Sequence, residues 1–148
     1  MSAKSCFFIG HADSDESILP ALESAIEQHI TEYGVTEFYV GHHGGFDRLV
    51  LRALAAAKSR HPDIRRILVL SYHPAQYIPP PSLQTDELFY PLDMSVPPRF
   101  AILKANQAML SRCSHLICHV WHTGKSRDFL FLAVRRGVHI HNLHTKRT

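Results

Sequence analysis

The sequence predicts an α/β fold of three layers, a Rossmann-like arrangement with a mainly parallel five-stranded sheet between helices, and three observations carry it. Short apolar runs alternate along the chain with longer stretches of helical apolar periodicity. The first three runs are almost wholly apolar, as parallel strands covered on both faces require. The chain has 148 residues, 45% of them hydrophobic, enough for one domain (residues 1–148) that buries about two thirds of its unfolded-chain surface.

Taken in order, residues 5–9 form the first strand, which stops at Gly10-His11. Ile18, Leu22, Ala25, Ile26 and Ile30 then repeat at helical spacing until Gly34 supplies a C-terminal stop. Residues 38–40 are a second strand ending at Gly41. Phe46, Leu49, Val50, Ala53, Leu54 and Ala57 follow as one apolar stripe, with Arg48, Arg52 and Lys58 on the other sides. Residues 67–70 make the third strand. From 74 to 98 the pattern breaks, because seven of the nine prolines fall there and each removes a backbone donor. This segment reads as a long loop or short insertion, either a binding lid or a plain surface excursion. Periodicity resumes as a helix over 99–112, a strand over 115–121, a turn over 122–125, a helix over 126–136 ended by Gly137, and a last strand over 138–143.

The 16 Lys and Arg against 13 Asp and Glu leave a net charge of +3, and the basic residues are scattered. A nucleic-acid groove needs concentrated positive charge and exposed stacking aromatics, so that class ranks last. The apolar runs fall far short of the roughly 20 residues of a membrane span, and residues 1–10 lack the length of a secretory leader. A cytoplasmic protein without a membrane partner is the expectation. The odd set Cys6, Cys113 and Cys118 sits among apolar residues and reads as buried reduced thiols.

Chemistry concentrates at the ends of the strands. Gly41-His42-His43-Gly44-Gly45-Phe46-Asp47 joins a strand to a helix and holds three of the seven glycines. Such a turn lets backbone N–H groups approach an anion beside the positive end of the helix dipole. Asp47 can equally charge or cap the first helical turn with no ligand at all. Gly10-His11, Tyr72-His73 and His122-Thr123-Gly124 lie at other strand ends, and in a parallel sheet these meet at one edge. Arg99, Ile102 and Asn106 are spaced to share a helical line, so Arg99 and Asn106 can face the same pocket. Gly124-Lys125-Ser126 resembles the end of a P-loop, but His119 stands where that motif needs its first glycine. Thr123 or Ser126 can cap the following helix instead. Along a strand, alternation sends His115 and His119 to one face and Cys118 to the other, so Cys113, His115, Cys118, His119 and His122 do not make one zinc site. His139 and His141 share a strand face with His144 beyond, yet neither a metal nor a cofactor is expected.

Cys6-Phe7-Phe8-Ile9-Gly10-His11, Val40-Gly41 with Gly44-Gly45-Phe46-Asp47, and Pro97-Pro98-Arg99-Phe100-Ala101-Ile102 with Asn106 together resemble the small SLOG-type proteins of Rossmann-like fold. That superfamily takes in the DNA-processing protein Smf and the LOG phosphoribohydrolases, and its common theme is recognition of nucleotides or molecules derived from them. The resemblance spans nearly the whole chain. It implies a nucleotide-like ligand near Gly10, His11, Gly41, Gly44, Gly45, Asp47, Arg99 and Asn106. Relatives of the small type commonly carry an arginine where Ala105 stands and a glycine pair where this chain has Gly124-Lys125, which shifts the expected phosphate contact to Lys125 or Arg127. The Pro-Gly-Gly and Gly-Thr signature of the LOG enzymes is absent, so their activity does not transfer.

The leading expectation is a module that binds or senses a nucleotide-like ligand, through Gly10, His11, Gly41, His42, Gly44, Gly45, Asp47, Arg99, Asn106, Thr123, Gly124 and Lys125. The alternative is an enzyme acting on an N-glycosidic bond, with Asp47 stabilising charge at the sugar and His11 or His42 moving protons. A single-stranded nucleic-acid or protein-interaction module comes third. Self-association through an apolar helix face or the Pro-rich excursion is compatible with all three.

Overall fold

The computed structural model describes residues 4–75, 77–80 and 85–144. Within them the chain runs β1 (Lys4–Gly10), α1 (Leu19–Thr31), β2 (Val35–Val40), α2 (Gly45–Arg60), β3 (Arg65–Val69), β4 (Glu87–Phe89), α3 (Ala101–Arg112), β5 (His115–His119), α4 (Lys125–Arg135) and β6 (His139–Asn142). The strands pair in the order β4-β3-β2-β1-β5-β6, every pair parallel. The sheet is α/β and three-layered as expected, but it has six strands rather than five.

The alternation of side chains explains the layers. Cys6 and Phe8 of β1 pack with Leu22 and Ile26 of α1 and Phe46, Val50 and Leu54 of α2. Phe7 and Ile9, one residue out of phase, pack with Met109 and Leu110 of α3 and Phe129 and Ala133 of α4. Neither face of β1 is wet, which is why the run reads as continuously apolar. Phe7, Phe8, Phe38 and Phe46 are among the largest fully buried side chains, each contributing roughly 1.5–3 kcal/mol by area removed from water. The three cysteines are free and buried. Among the described residues no helix is long and apolar enough to cross a membrane.

The sixth strand corrects the reading of 74–98 as strandless. Residues 76 and 81–84 of that segment lie outside the described residues. β4 pairs with β3 at the sheet's edge, where Asp86 N–H donates to the Arg66 carbonyl (2.8 Å) and Leu70 N–H to that of Phe89 (2.8 Å). Arg65 bridges Glu37 and Glu87, and Arg66 pairs with Asp86. An edge strand needs a ladder on one side only, so prolines around it are tolerated. Three residues between proline clusters carry too little period-2 signal to be seen in sequence.

The end of β1 is fixed by a close approach. A Cβ added to Gly10 would lie 2.3 Å from the Phe46 ring, so the first turn of α2 can press on β1 only because Gly10 has no side chain. Gly10→Ala is expected to cost about 1–3 kcal/mol through overpacking. In a Phe46→Leu background the same substitution should cost less, as a double-mutant cycle by urea denaturation would read out. Equal costs in the two backgrounds would remove the ring as the cause.

Candidate functional site

β2 follows β1 on one side and β5 flanks it on the other, so the loops leaving the carboxyl ends of β1 and β5 diverge. Open α/β sheets place their ligand crevices at such a point. A cleft of about 440 Å³ opens here, with Gly10 at the end of β1 and His11 just after it, Gly41, His43, Gly44 and Asp47 around the start of α2, and Asn106 on α3. His122, Gly124, Lys125 and Ser126 close it from the β5–α4 loop, and Phe7, Ile102 and Phe129 give it an apolar wall.

Two helices begin at this cleft without a side-chain cap. Gly44 occupies the N-cap of α2 and Gly124 that of α4. Each helix start carries N–H groups that the helix itself cannot satisfy, and the two dipoles add a positive potential to the same space. Neither Thr123 nor Ser126 caps α4. Instead the Ser126 hydroxyl donates to the Gly10 carbonyl (3.0 Å), tying α4 to the end of β1. Gly124 has φ 148, a conformation that favours glycine.

His11 is buried, and its Nε2 accepts from the backbone N–H of Trp121 (3.3 Å) and of His122 (3.4 Å). Accepting at Nε2 puts the neutral ring's proton on Nδ1. The ring also stacks on His122 with centroids 3.5 Å apart. Burial first, and then the neighbouring His122, lower its pKa from 6.5. His11 is therefore a neutral brace joining the β1 and β5 loops, and its acceptor nitrogen is already occupied.

Asp47 is half-buried, and its Oδ2 accepts the His43 backbone N–H (3.0 Å) just ahead of the helix. That carboxylate lies against Gly41, where an added Cβ would come within 3.0 Å of it. Burial raises the Asp47 pKa from 3.8 to about 6, with the His43 N–H pulling the other way. The His43 ring is held neutral, its pKa lowered to about 4 by desolvation and then by His42, and its Nε2 bonds the buried Ser71 hydroxyl (3.0 Å). At the rim, Asp13 faces His122 Nε2 at 3.6 Å.

Eight of the twelve expected binding residues line the cleft: Gly10, His11, Gly41, Gly44, Asp47, Asn106, Gly124 and Lys125. Four do not. The His42 ring stacks on Tyr77, centroids 5.0 Å apart, and its neighbour His43 lines the cleft instead. Gly45 is wedged against the β1 loop, giving its N–H to the Ala12 carbonyl (3.1 Å), with room for no Cβ. Arg99 sits in a 3₁₀ turn, Pro98–Phe100, over the Phe100 ring at 4.8 Å. That turn advances at three residues rather than 3.6, so the helical line through Ile102 and Asn106 does not extend back to Arg99. Thr123 is exposed and precedes the N-cap, with its carbonyl accepting from His122 Nδ1 (2.8 Å). His43, Asp13 and Ser126 were missed because each depends on a loop contact that strand and helix periods do not encode.

The cysteine and histidine run around β5 separates as alternation requires. Cys118 packs with the α3 and α4 layer, whereas His115 faces His29 of α1. Among the described residues no group of three His, Cys, Asp or Glu is arranged to hold a metal ion.

No family model matches this chain, and neither does any curated protein. Among solved structures, a probable mandelate racemase from Alicyclobacillus acidocaldarius is similar at 20% identity and TM-score 0.37, over 93% of this chain and 33% of that one. The chain thus spans about a third of that protein's length. A likeness this distant carries no argument about chemistry.

The raised Asp47 pKa makes the site costly to the fold. A carboxyl titrating at about 6 when folded and 3.8 when unfolded stabilises the fold relative to its charged form below pH 3.8, and that advantage is lost as pH rises through 6. Asp47→Asn keeps an acceptor for the His43 N–H without the charge, and is expected to stabilise the protein at pH 7–8 by about 1–3 kcal/mol. The gain should vanish below pH 4; thermal unfolding across that range checks it, and a pH-independent effect would refute the assignment.

Proposed function

We propose that this protein binds a nucleotide or nucleotide-derived molecule at the cleft between the β1 and β5 loops. The observation that carries the reading is the convergence of two helix starts, both without side-chain caps, with Lys125 on one cleft at the switch in strand order. An anionic group fits between the N-termini of α2 and α4, where backbone donors, dipoles and the ammonium group act together. The Asp13 and Asp47 carboxylates supply acceptors for sugar hydroxyls, and the Asn106 amide beside Ile102 and Phe129 supplies both a donor and an acceptor for a base edge. The resemblance to SLOG-type proteins supports the same class of ligand. Three buried free thiols suit a reducing compartment such as the cytoplasm.

One observation favours catalysis as a second reading. Of the three residues with a candidate acid-base role, His11 is engaged with backbone and His42 is stacked outside the cleft. Asp47 alone combines a place in the cleft with a pKa of about 6, in the range a general acid or base requires. In an N-glycosidic cleavage its carboxylate would face the positive charge that develops at the sugar.

Calorimetry against nucleoside mono- and diphosphates, dinucleotides, ADP-ribose and ribose phosphate tests both. Binding is expected for at least one member, with Lys125→Ala weakening it about tenfold, or about 1.4 kcal/mol. Gly44→Val combined with Asp47→Ala should weaken it further; unchanged affinity in that double variant would show that the ligand sits elsewhere. Release of free base that is lost in a folded Asp47→Asn protein would promote the catalytic reading.

A further inference from the structure

Four imidazoles gather at the opposite, amino-terminal end of the same strands. His29, in the last turn of α1, has its ring centroid 5.4 Å from His115 on β5, and 6.2 Å and 6.0 Å from His139 and His141 on β6. His115 and His139 are cross-strand partners with centroids 5.0 Å apart. Tyr33 packs edge-on to His29 and closes the group. His29 is fully buried; its Nδ1–H donates to the Ala25 carbonyl (2.7 Å), which leaves Nε2 as a buried acceptor without a partner among the described residues.

We propose that this cluster is an acid-sensitive latch that holds β6 on the sheet while its rings are neutral and releases it when they protonate. Besides one another, the groups that face these rings among the described residues are Tyr33 on α1, the Ser114 hydroxyl on His115 Nδ1 (2.9 Å) and Lys4 at the start of β1, whose charge bears on His115. None of these is a carboxylate, so among the described residues no anionic partner compensates an added proton. Burial holds His29 down to about 4, with His115, His141 and His139 adding to the effect, and both His115 and His141 are lowered as well. In the fold His29, His115 and His141 resist a proton that they accept near 6.5 once exposed, so the latch weakens as pH falls below 6.5.

β6 is an edge strand of four residues, paired among the described residues with β5 alone. Its far end is tied to the start of the loop that borders the cleft. The Asn142 side chain both accepts from Val120 N–H (3.1 Å) and donates to the Val120 carbonyl (3.1 Å). The next two residues, Trp121 and His122, give their N–H groups to His11. Loss of β6 therefore frees the root of the loop that carries Gly124 and Lys125. The latch itself does not rest on the nucleotide reading; only its effect on affinity does.

The test is hydrogen exchange by mass spectrometry on the full chain between about pH 7.5 and 5, corrected for the intrinsic rate at each pH. Protection of residues 138–143 is expected to fall at least about tenfold across that range while β1 stays protected. His139→Gln with His141→Gln, on the partly exposed strand, should remove most of that fall, whereas His73→Gln should not. Protection retained by the unmodified protein at pH 5, or lost identically in the double variant, would overturn the latch. Where nucleotide binding is also measured, a parallel loss of affinity extends the latch to the cleft; absence of binding at every pH would count against the nucleotide reading and leave the exchange result standing.

Discussion

β1 has to be buried on both faces and paired along both edges, and the rest of the molecule is arranged around that requirement. Two helical layers are needed to cover it, and two parallel neighbours are needed to satisfy its backbone. Because β2 and β5 lie on opposite sides of it, the chain leaves the two flanking loops in different directions, and a gap opens above its end. The gap is then braced rather than closed. Gly10 admits Phe46 from one side and gives its carbonyl to Ser126 on the other, while His11 holds the backbone of the β5 loop.

Much of this was legible in the sequence because burial writes itself into periodicity. The stripe Phe46, Leu49, Val50, Ala53, Leu54, Ala57 is the buried face of α2 residue for residue. Gly34 and Gly137, at φ 70 and φ 73, stand just past the ends of α1 and α4 as helix stops do. β4 was not legible, since its place is set by pairing with β3 and by the ion pairs of Arg65 and Arg66, contacts between residues about 20 apart in the chain.

The candidate site was legible as a location and less so as a set of contacts. Strand ends and glycines mark the edge where loops converge, which is why Gly41, Gly44, Asp47 and Gly124 fall in the cleft. They do not say which backbone groups remain free for a ligand. Gly45 looks like a phosphate-cradling residue, yet its N–H and its missing side chain both serve the approach of Ala12. His42 and His43 are adjacent and chemically identical, and their roles are separated by the stacking of His42 on Tyr77 and the bond from His43 to Ser71. The N-terminal turn of α2 thus divides its glycines between chain packing and open space.

The short β4 has a consequence for the sheet as a whole. An open parallel sheet ends in a row of unpaired donors and acceptors onto which another chain can add. At the β4 edge the border is three residues long and is flanked by Pro91 on one side, with Asp86 and Glu87 committed to arginines on β3. An incoming strand would find few backbone groups in line and a proline that donates none. The segment that looks like an interruption of the fold thereby acts as a hem on this edge, leaving few aligned backbone groups there for another strand to meet.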